Sequence, residues 1–164
     1  PSKMRVIKNS LIGNTHAFSA NGNHTSTIGH GNGAHSYYVA IQDSAFVNMS
    51  QGDSSGMIQI YPEVGGGSDG SAAYWLMEGN YYTGTNGLVC TQFGGSGSEI
   101  DHHDMTIRNN FYGVLWNGTS CTSGTVNSDS DNTMGSRAAT LRNTWTNNTW
   151  YAPGQSKNGT TIGG

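Results

Sequence analysis

The stretch of sequence that decides the fold is Ile107-Arg108-Asn109-Asn110-Phe111-Tyr112. It sets an apolar residue and a spacer before two small polar residues and an aromatic pair, and further copies begin at Ile7, Ile41, Met77 and Leu141. Successive copies start 34, 36, 30 and 34 residues apart. A second apolar run follows each copy, so each unit holds about three short strands separated by turns. The pattern predicts an all-β chain built from five repeating units.

Units of this kind can stack so that each strand pairs in parallel with its counterpart about 4.8 Å away in the next unit. The two polar positions of the pattern then form rows along the stack, in which amides and hydroxyls hydrogen-bond to one another. The first predicted row is Asn9, Asp43, Gly79, Asn109 and Asn143, and the second is Ser10, Ser44, Asn80, Asn110 and Thr144.

Composition restricts the class of protein. Charged residues make up only 10% of the chain, against roughly 25% in an average soluble domain, which favours strands and turns over exposed helices. The net charge of −3 comes without a basic cluster, so no nucleic-acid partner is expected, and no apolar run is long enough for membrane insertion. Residues 1–164 fit one domain by length. We expect a fragment or an uncapped segment of a larger or oligomeric assembly, because neither residues 4–6 nor residues 159–164 resemble a polar cap.

The densest cluster of ionisable side chains is Glu99-Ile100-Asp101-His102-His103-Asp104. Two carboxylates flanking two histidines can supply a base, an acid and a charge neutraliser within one turn. The candidate catalytic residues are therefore Asp101, His103 and Asp104, with His102 as a ligand-binding candidate. The alternative is a polar turn without chemistry. Stacking of the units would place a loop carrying His30 and His35, two further ligand-binding candidates, on the same side.

Aromatic residues supply the second functional signal. Neighbouring residues on a strand point to opposite faces, so one ring of each adjacent aromatic pair faces outward. Exposed rings stack on sugars and equally well on a neighbouring subunit. We expect Tyr38, Tyr74 and Trp75 to contribute to a ligand-binding face near residues 101–104. The alternative is that loops cover these rings.

The sequence assigns no metal centre. Asp129 and Asp131 lie in a Ser-rich loop and offer the oxygen ligands that calcium takes, without the signature of a known calcium-binding loop. No cofactor is expected other than this candidate calcium ion. Cys90 and Cys121 fall in neighbouring units, but their offset leaves a disulfide undecided against the Cα separation that such a bond requires.

The five copies resemble the right-handed parallel β-helix superfamily, whose repeats carry an Ile-x-Asn-Asn-x-Phe-like core, and the resemblance covers about residues 4–151. It implies a solenoid of about five coils. Pectate lyases, polygalacturonases, alginate epimerases, phage tailspikes and bacterial adhesins belong to this superfamily, and their common theme is long surface polysaccharide. The structural alternative is an antiparallel β-sandwich or jelly roll, which does not require a repeat of about 34 residues.

Two shorter resemblances concern activity. Asp101-His102-His103-Asp104 is similar to the Asp-Pro-His-Asp/Glu signature of alginate epimerases, which implies that Asp101 and His103 abstract and return a sugar proton. His102 replaces the proline of that signature. Ile28-Gly29-His30 and the later Gly79-Asn80-Tyr81-Tyr82 resemble pectate lyases, but residues 47–77 contain no arginine or lysine to act as the base of that family.

These features predict an extracellular or virion-surface β-helix of the tail-fibre, tailspike or adhesin type. Its expected partner is a polysaccharide or a cell-surface glycan, with binding favoured over catalysis. Its expected state is a homo-oligomer, either a trimer or an end-to-end stack. A polysaccharide lyase or uronan epimerase is the second hypothesis, and a self-stacking extracellular filament subunit is the third.

Overall fold

The computed structural model describes residues 5–13, 28–30, 35–47, 58–60, 71–83, 91–93, 102–113, 127–129 and 138–163. These parts of the chain are mostly strand, which confirms the all-β prediction. In chain order the elements are β1 (Arg5–Lys8), β2 (Leu11–Gly13), β3 (Ile28–His30), β4 (His35–Gln42), β5 (Ala45–Val47), β6 (Ile58–Ile60), β7 (Ser71–Glu78), β8 (Tyr81–Thr83), β9 (Thr91–Phe93), β10 (Thr106–Arg108), β11 (Phe111–Gly113), β12 (Asn127–Asp129), α1 (Ala138–Leu141), β13 (Thr144–Thr146) and β14 (Thr149–Tyr151).

The strands form three parallel sheets. The first sheet has the order β1-β4-β7-β10-β13, the second β2-β5-β8-β11-β14 and the third β3-β6-β9-β12. Each sheet therefore takes its strands in sequence order from successive units, and every pairing between these strands is parallel. The antiparallel sandwich or jelly roll is excluded for the described strands.

We call the first residue of each copy of the pattern its anchor. The expected pairing of the anchors in one column is confirmed for the first four copies. Ile7 pairs with Ile41, Ile41 with Met77, and Met77 with Ile107. The prediction for the fifth copy is wrong, because Ile107 pairs with Trp145 and not with Leu141.

The fifth unit is displaced because Leu141 ends α1, whose four residues occupy the place where the sequence pattern suggested a strand. The true fifth copy of the pattern is Trp145-Thr146-Asn147-Asn148-Thr149-Trp150, with the Asn-Asn doublet in the same place as in the fourth copy. No helix within the described ranges has the length and apolar character needed to cross a bilayer.

The second predicted polar row forms a hydrogen-bonded ladder at the corner between the first and second sheets. The side-chain oxygen of Asn80 accepts the backbone N–H of Ser44 at 3.1 Å, and that of Asn110 accepts the backbone N–H of Asn80 at 3.0 Å. The side-chain oxygen of Asn148 accepts the backbone N–H of Asn110 at 3.1 Å. Asn148 therefore takes the ladder position that was predicted for Thr144. The ladder satisfies the polar groups of a corner that is otherwise buried.

The first predicted row lies beside this ladder in the left-handed backbone region. Its members Asn9, Asp43, Gly79, Asn109 and Asn147 have φ between 50° and 67°, with Asn147 in place of the predicted Asn143. Asparagine, aspartate and glycine adopt this conformation at low cost, which explains their recurrence at the corner.

The core lies between the sheets and consists of side chains stacked unit upon unit. Phe46, Tyr82 and Tyr112 are fully buried, and their ring centroids are 5.1 and 5.0 Å apart along the stack. The anchor column packs against these rings in the same hydrophobic cluster. Equivalent positions thus repeat the same packing in each unit.

The tail beyond β14 folds back over the last unit. Thr161 forms an antiparallel bridge with Thr149, and the Trp150 N–H donates to Thr160 O at 3.0 Å. Ile162 is buried in the core cluster, and its carbonyl accepts the indole N–H of Trp145 at 2.8 Å. The tail therefore covers the edge of β14 in the described part of the chain.

Candidate functional site

A second column of left-handed residues crosses the first sheet at a bend, and we call it the ridge. It consists of Tyr38, Tyr74, Asp104 and Arg142, with φ of 59°, 59°, 55° and 58°. The pairings of the neighbouring residues place these positions in adjacent units. A left-handed conformation costs Tyr38, Tyr74 and Arg142 roughly 1–2 kcal/mol each, whereas Asp104 adopts it at lower cost. Unlike the corner beside the Asn ladder, the ridge therefore has residues with a conformational penalty at three of its four left-handed positions.

The ridge side chains contact one another across the units. The rings of Tyr38 and Tyr74 are stacked, with centroids 4.9 Å apart and planes at 7°. His103 meets Tyr74 edge-on at 5.8 Å, and its Nδ1 lies 2.6 Å from Asp104 Oδ2. Arg142 completes the chain with two hydrogen bonds to Asp104, of 2.6 and 2.5 Å. The predicted convergence of acidic, imidazole and aromatic groups is present for Tyr38, Tyr74, His103 and Asp104.

The electrostatics of the ridge limit its chemistry. Hydrogen bonds from Arg142, and then from His103, lower the pKa of Asp104 from 3.8 to about 2. A carboxylate that binds protons so weakly is a poor general base near neutral pH. It is suited instead to orienting His103, whose side chain is about one-third exposed.

Two of the predicted ligand-binding residues are buried and do not lie on the surface. Trp75 is buried in the core, because it lies two residues before the inward anchor Met77 and shares its face of β7. His102 is fully buried, and its carbonyl accepts an N–H of Asn143. Neither side chain can present itself to a ligand in solution.

The remaining predicted residues have the following places. His35 lies in β4 of the first sheet and His30 ends β3 of the third, so both belong to strands and not to a loop. Asp101, Asp131, Cys90 and Cys121 fall outside the described residues. Asp129 ends β12. Within the described part of the chain, no three His, Cys, Asp or Glu residues come together as a group that could hold a metal ion.

The orientation of the ridge tyrosines makes them a poor platform for a sugar. Tyr38 and Tyr74 are about half exposed, at 50% and 47%. Because their rings are stacked on each other, one face of each ring is covered. A sugar ring stacks on an aromatic face, where its C–H groups meet the π-system.

A different surface offers exposed rings around an open cleft of about 500 Å³ on the outer side of the second sheet, and we call it the aromatic cleft. It is lined by Tyr81 of β8, Phe111 of β11 and Tyr151 of β14. Phe111 and Tyr151 are 46% and 49% exposed. Tyr81 and Tyr151 meet edge to face, with centroids 5.5 Å apart at 89°.

Gly113 gives the aromatic cleft its shape. A Cβ atom at this position would lie 2.6 Å from the hydroxyl oxygen of Tyr81 and 3.0 Å from two of its ring carbons. The Tyr81 ring therefore reaches from its own unit across Gly113 in the next one. Gly113 also pairs in register with Tyr151, which brings the two tyrosines to the same place.

None of the described residues that line the aromatic cleft carries a charged group. These residues carry two phenols and a phenyl ring. Burial, and then the proximity of Tyr151, raise the pKa of Tyr81, so its hydroxyl stays protonated at neutral pH. The cleft thus offers ring surfaces together with neutral hydroxyl groups that can donate and accept hydrogen bonds.

Sequence reasoning did not select this surface as the site, although the adjacent pairs Tyr81-Tyr82 and Trp150-Tyr151 each predict one ring that faces outward. The residue after the Asn ladder position faces outward in the described units, which makes Leu11 and Phe111 exposed. Tyr81 occupies the same position in the third unit. Tyr151 could not be placed beside Gly113 because the fifth unit was assigned four residues too early.

In comparisons with known proteins, no family model, no curated protein and no solved structure matches this chain.

Proposed function

We propose that the chain is a right-handed parallel β-helix of five coils that binds a glycan in the aromatic cleft without cleaving it. Three parallel sheets with strands in sequence order support the helix, because the chain visits each sheet once in each of the first four units. Parallel strands joined by a crossover connection are right-handed in about 98% of cases, which supports the hand.

The observation that carries the binding proposal is the aromatic cleft itself. Its volume of about 500 Å³ falls within the roughly 300–1,000 Å³ typical of ligand pockets. Its rings are exposed to solvent because they lie on the outer face of the second sheet, whose inner face packs against the core. Aromatic rings with neutral hydroxyls at their rims are suited to the apolar faces and hydroxyl groups of sugars.

Binding is favoured over catalysis by the chemistry of the two surfaces. Glycoside hydrolysis uses a pair of carboxyl groups about 5–10 Å apart, whereas the described residues that line the aromatic cleft carry none. The one carboxylate of the ridge, Asp104, is engaged by Arg142 and His103. The candidate epimerase residue His103 contacts the ridge residues Tyr74 and Asp104 and is not among the described residues that line the cleft.

The proposed setting is an extracellular or virion surface, in a fibre or adhesin. The low content of charged residues and the ring-bearing outer face support a module that contacts carbohydrate. The tail pairs with the edge of β14, which removes one of the strand edges that an end-to-end filament would use.

The experiment is a glycan array with the wild-type chain, Tyr151→Ala and Tyr38→Ala, combined with assays for reducing ends and for unsaturated products. Wild type and Tyr38→Ala should bind the same glycans without forming products, and Tyr151→Ala should lose at least 10-fold in affinity. Tyr38→Ala is the matched control, because it removes an equally exposed tyrosine from the ridge. Product formation that requires His103 would favour the enzyme hypothesis, and absence of binding to every glycan would overturn the proposal.

A further inference from the structure

Resting on the proposed function, we propose that the aromatic cleft selects an uncharged glycan, whose chain lies across the strands of the second sheet. The inference concerns the chemical class of the ligand and its direction. It follows from the charge of the lining groups, from the state of their hydroxyls and from the way three units contribute one ring each.

The direction follows from strand register. Tyr81 and Phe111 are partners in adjacent strands, and Tyr151 pairs with Gly113 in the strand after that. The lining rings therefore step from unit to unit, across a distance of two strand spacings, about 10 Å. A linear chain that crosses the strands can meet all three rings, whereas a chain that follows one strand meets only one.

The preference for an uncharged glycan follows from the described lining residues, none of which is a cation that could pair with an acidic sugar. A carboxylate that enters an uncharged, ring-lined cleft loses water contacts and needs a cation or several hydrogen-bond donors in return. The described lining residues offer two phenols and a phenyl ring. Among the same units, the guanidinium of Arg108 is already engaged by Glu78 at 2.7 Å. Hydroxyl groups of a neutral sugar, in contrast, match Tyr81 and Tyr151 as both donors and acceptors.

Gly113 and the Tyr81 hydroxyl provide two specific probes of this site. Gly113→Ala puts a methyl group against the Tyr81 ring and should displace it, while leaving the inward-facing core residues unchanged. Tyr81→Phe keeps the ring and removes only the hydroxyl. Both changes should weaken binding of a neutral glycan by about 3- to 10-fold, with thermal unfolding close to that of the wild type.

The test is calorimetric titration of the full chain with neutral hexasaccharides (glucan, mannan, galactan and xylan) beside hexagalacturonate and hexaguluronate. We expect at least one neutral hexasaccharide to bind at least 10-fold more tightly than either uronate, with little change between low and high salt. Its disaccharide should bind more weakly than the hexasaccharide, because it cannot reach all three rings.

Each other result has a defined meaning. Tight binding of a uronate that is lost in Tyr151→Ala would overturn the selection of an uncharged glycan and leave the proposed function standing. Equal binding of di- and hexasaccharide would overturn the direction across the strands. Neutral binding that survives in Gly113→Ala, Tyr81→Phe and Tyr151→Ala would overturn the aromatic cleft as the site.

Discussion

At the scale of single residues, the Asn ladder determines whether the corner of each unit can be buried. Asn110 is fully buried, and its side-chain oxygen accepts two N–H groups of Asn80, while its amide donates to Met77 O and to Asn148 Oδ1. Removing it leaves several polar groups without partners inside the protein. Each such group costs about 1–3 kcal/mol.

Asn110→Ala should therefore lower the free energy of unfolding by roughly 2–5 kcal/mol, measured by urea denaturation. Asn109→Gly is the matched control, because Asn109 is exposed and its φ of 57° suits glycine. It should change the free energy of unfolding by less than about 1 kcal/mol. Equal effects of the two substitutions would contradict the role of the ladder.

At the same scale, alternation along a strand was sufficient to place several side chains. Counting back by two from Met77 puts Trp75 and Ala73 inside and Tyr74 outside, as the structure has them. The choice between Tyr74 and Trp75 was thus decidable from the sequence. The stacking of Tyr74 on Tyr38 was not, because it depends on the left-handed bend that both residues share.

At the scale of structural elements, the ridge joins two units through Asp104. Its pKa of about 2 lies below the ordinary 3.8, so the folded state favours the carboxylate over the protonated form. The resulting stabilisation is fully present above about pH 4 and is lost as the pH falls through the folded-state pKa. Arg142 and His103 stabilise the negative charge of the Asp104 carboxylate through their hydrogen bonds to it.

Asp104→Asn should accordingly lower the melting temperature at pH 6, and the difference from wild type should shrink between about pH 4 and pH 2. Asparagine also tolerates the left-handed conformation at this position, so the substitution changes charge with little backbone strain. Asp43→Asn is the control, since Asp43 is exposed and its nearest cation, Lys8, lies at 3.7 Å. A pH-independent difference for Asp104→Asn would contradict the ionic role of Asp104.

The elements also show where prediction from the sequence ends. The first four units could be aligned because each has its apolar anchor two or three residues before a small polar residue at the corner. The fifth unit contains two such patterns, around Asn143 and around Asn148, and both asparagines hydrogen-bond to the preceding unit. The pairings of Trp145 with Ile107 and of Thr149 with Phe111 identify the copy around Asn148 as the one in register, so the position of Tyr151 beside Gly113 could not be predicted from the sequence.

At the scale of the whole molecule, the two ends of the described stack differ. Val6 and Leu11 of the first unit are exposed, at 53% and 78%, whereas the last unit is covered by the tail and by the buried Ile162. The tail pairs with β14 in the antiparallel sense, which ends the run of parallel strands at this side. An uncovered strand edge is a site for pairing with other chains.

Ile162→Asp should release the tail, because a buried unpaired carboxylate is strongly unfavourable, and should lower the free energy of unfolding by more than about 2 kcal/mol. We expect concentration-dependent association in light scattering, since the edge of β14 becomes free. Thr161→Asp introduces a carboxylate at an exposed neighbouring position. It should leave the free energy of unfolding and the association state as they are in the wild type. An unchanged association state in Ile162→Asp would contradict a covering role for the tail.

The most direct measurement on the whole molecule is an NMR titration of the isotope-labelled chain with the neutral hexasaccharide that binds it best. The aromatic cleft and the ridge lie on different sheets, so the two candidate surfaces give separate sets of signals. The largest shift changes should fall on the amides of Phe111, Gly113 and Tyr151, with little change at Tyr38 and Tyr74. Largest changes at Tyr38, Tyr74 and His103 instead would contradict glycan binding in the aromatic cleft.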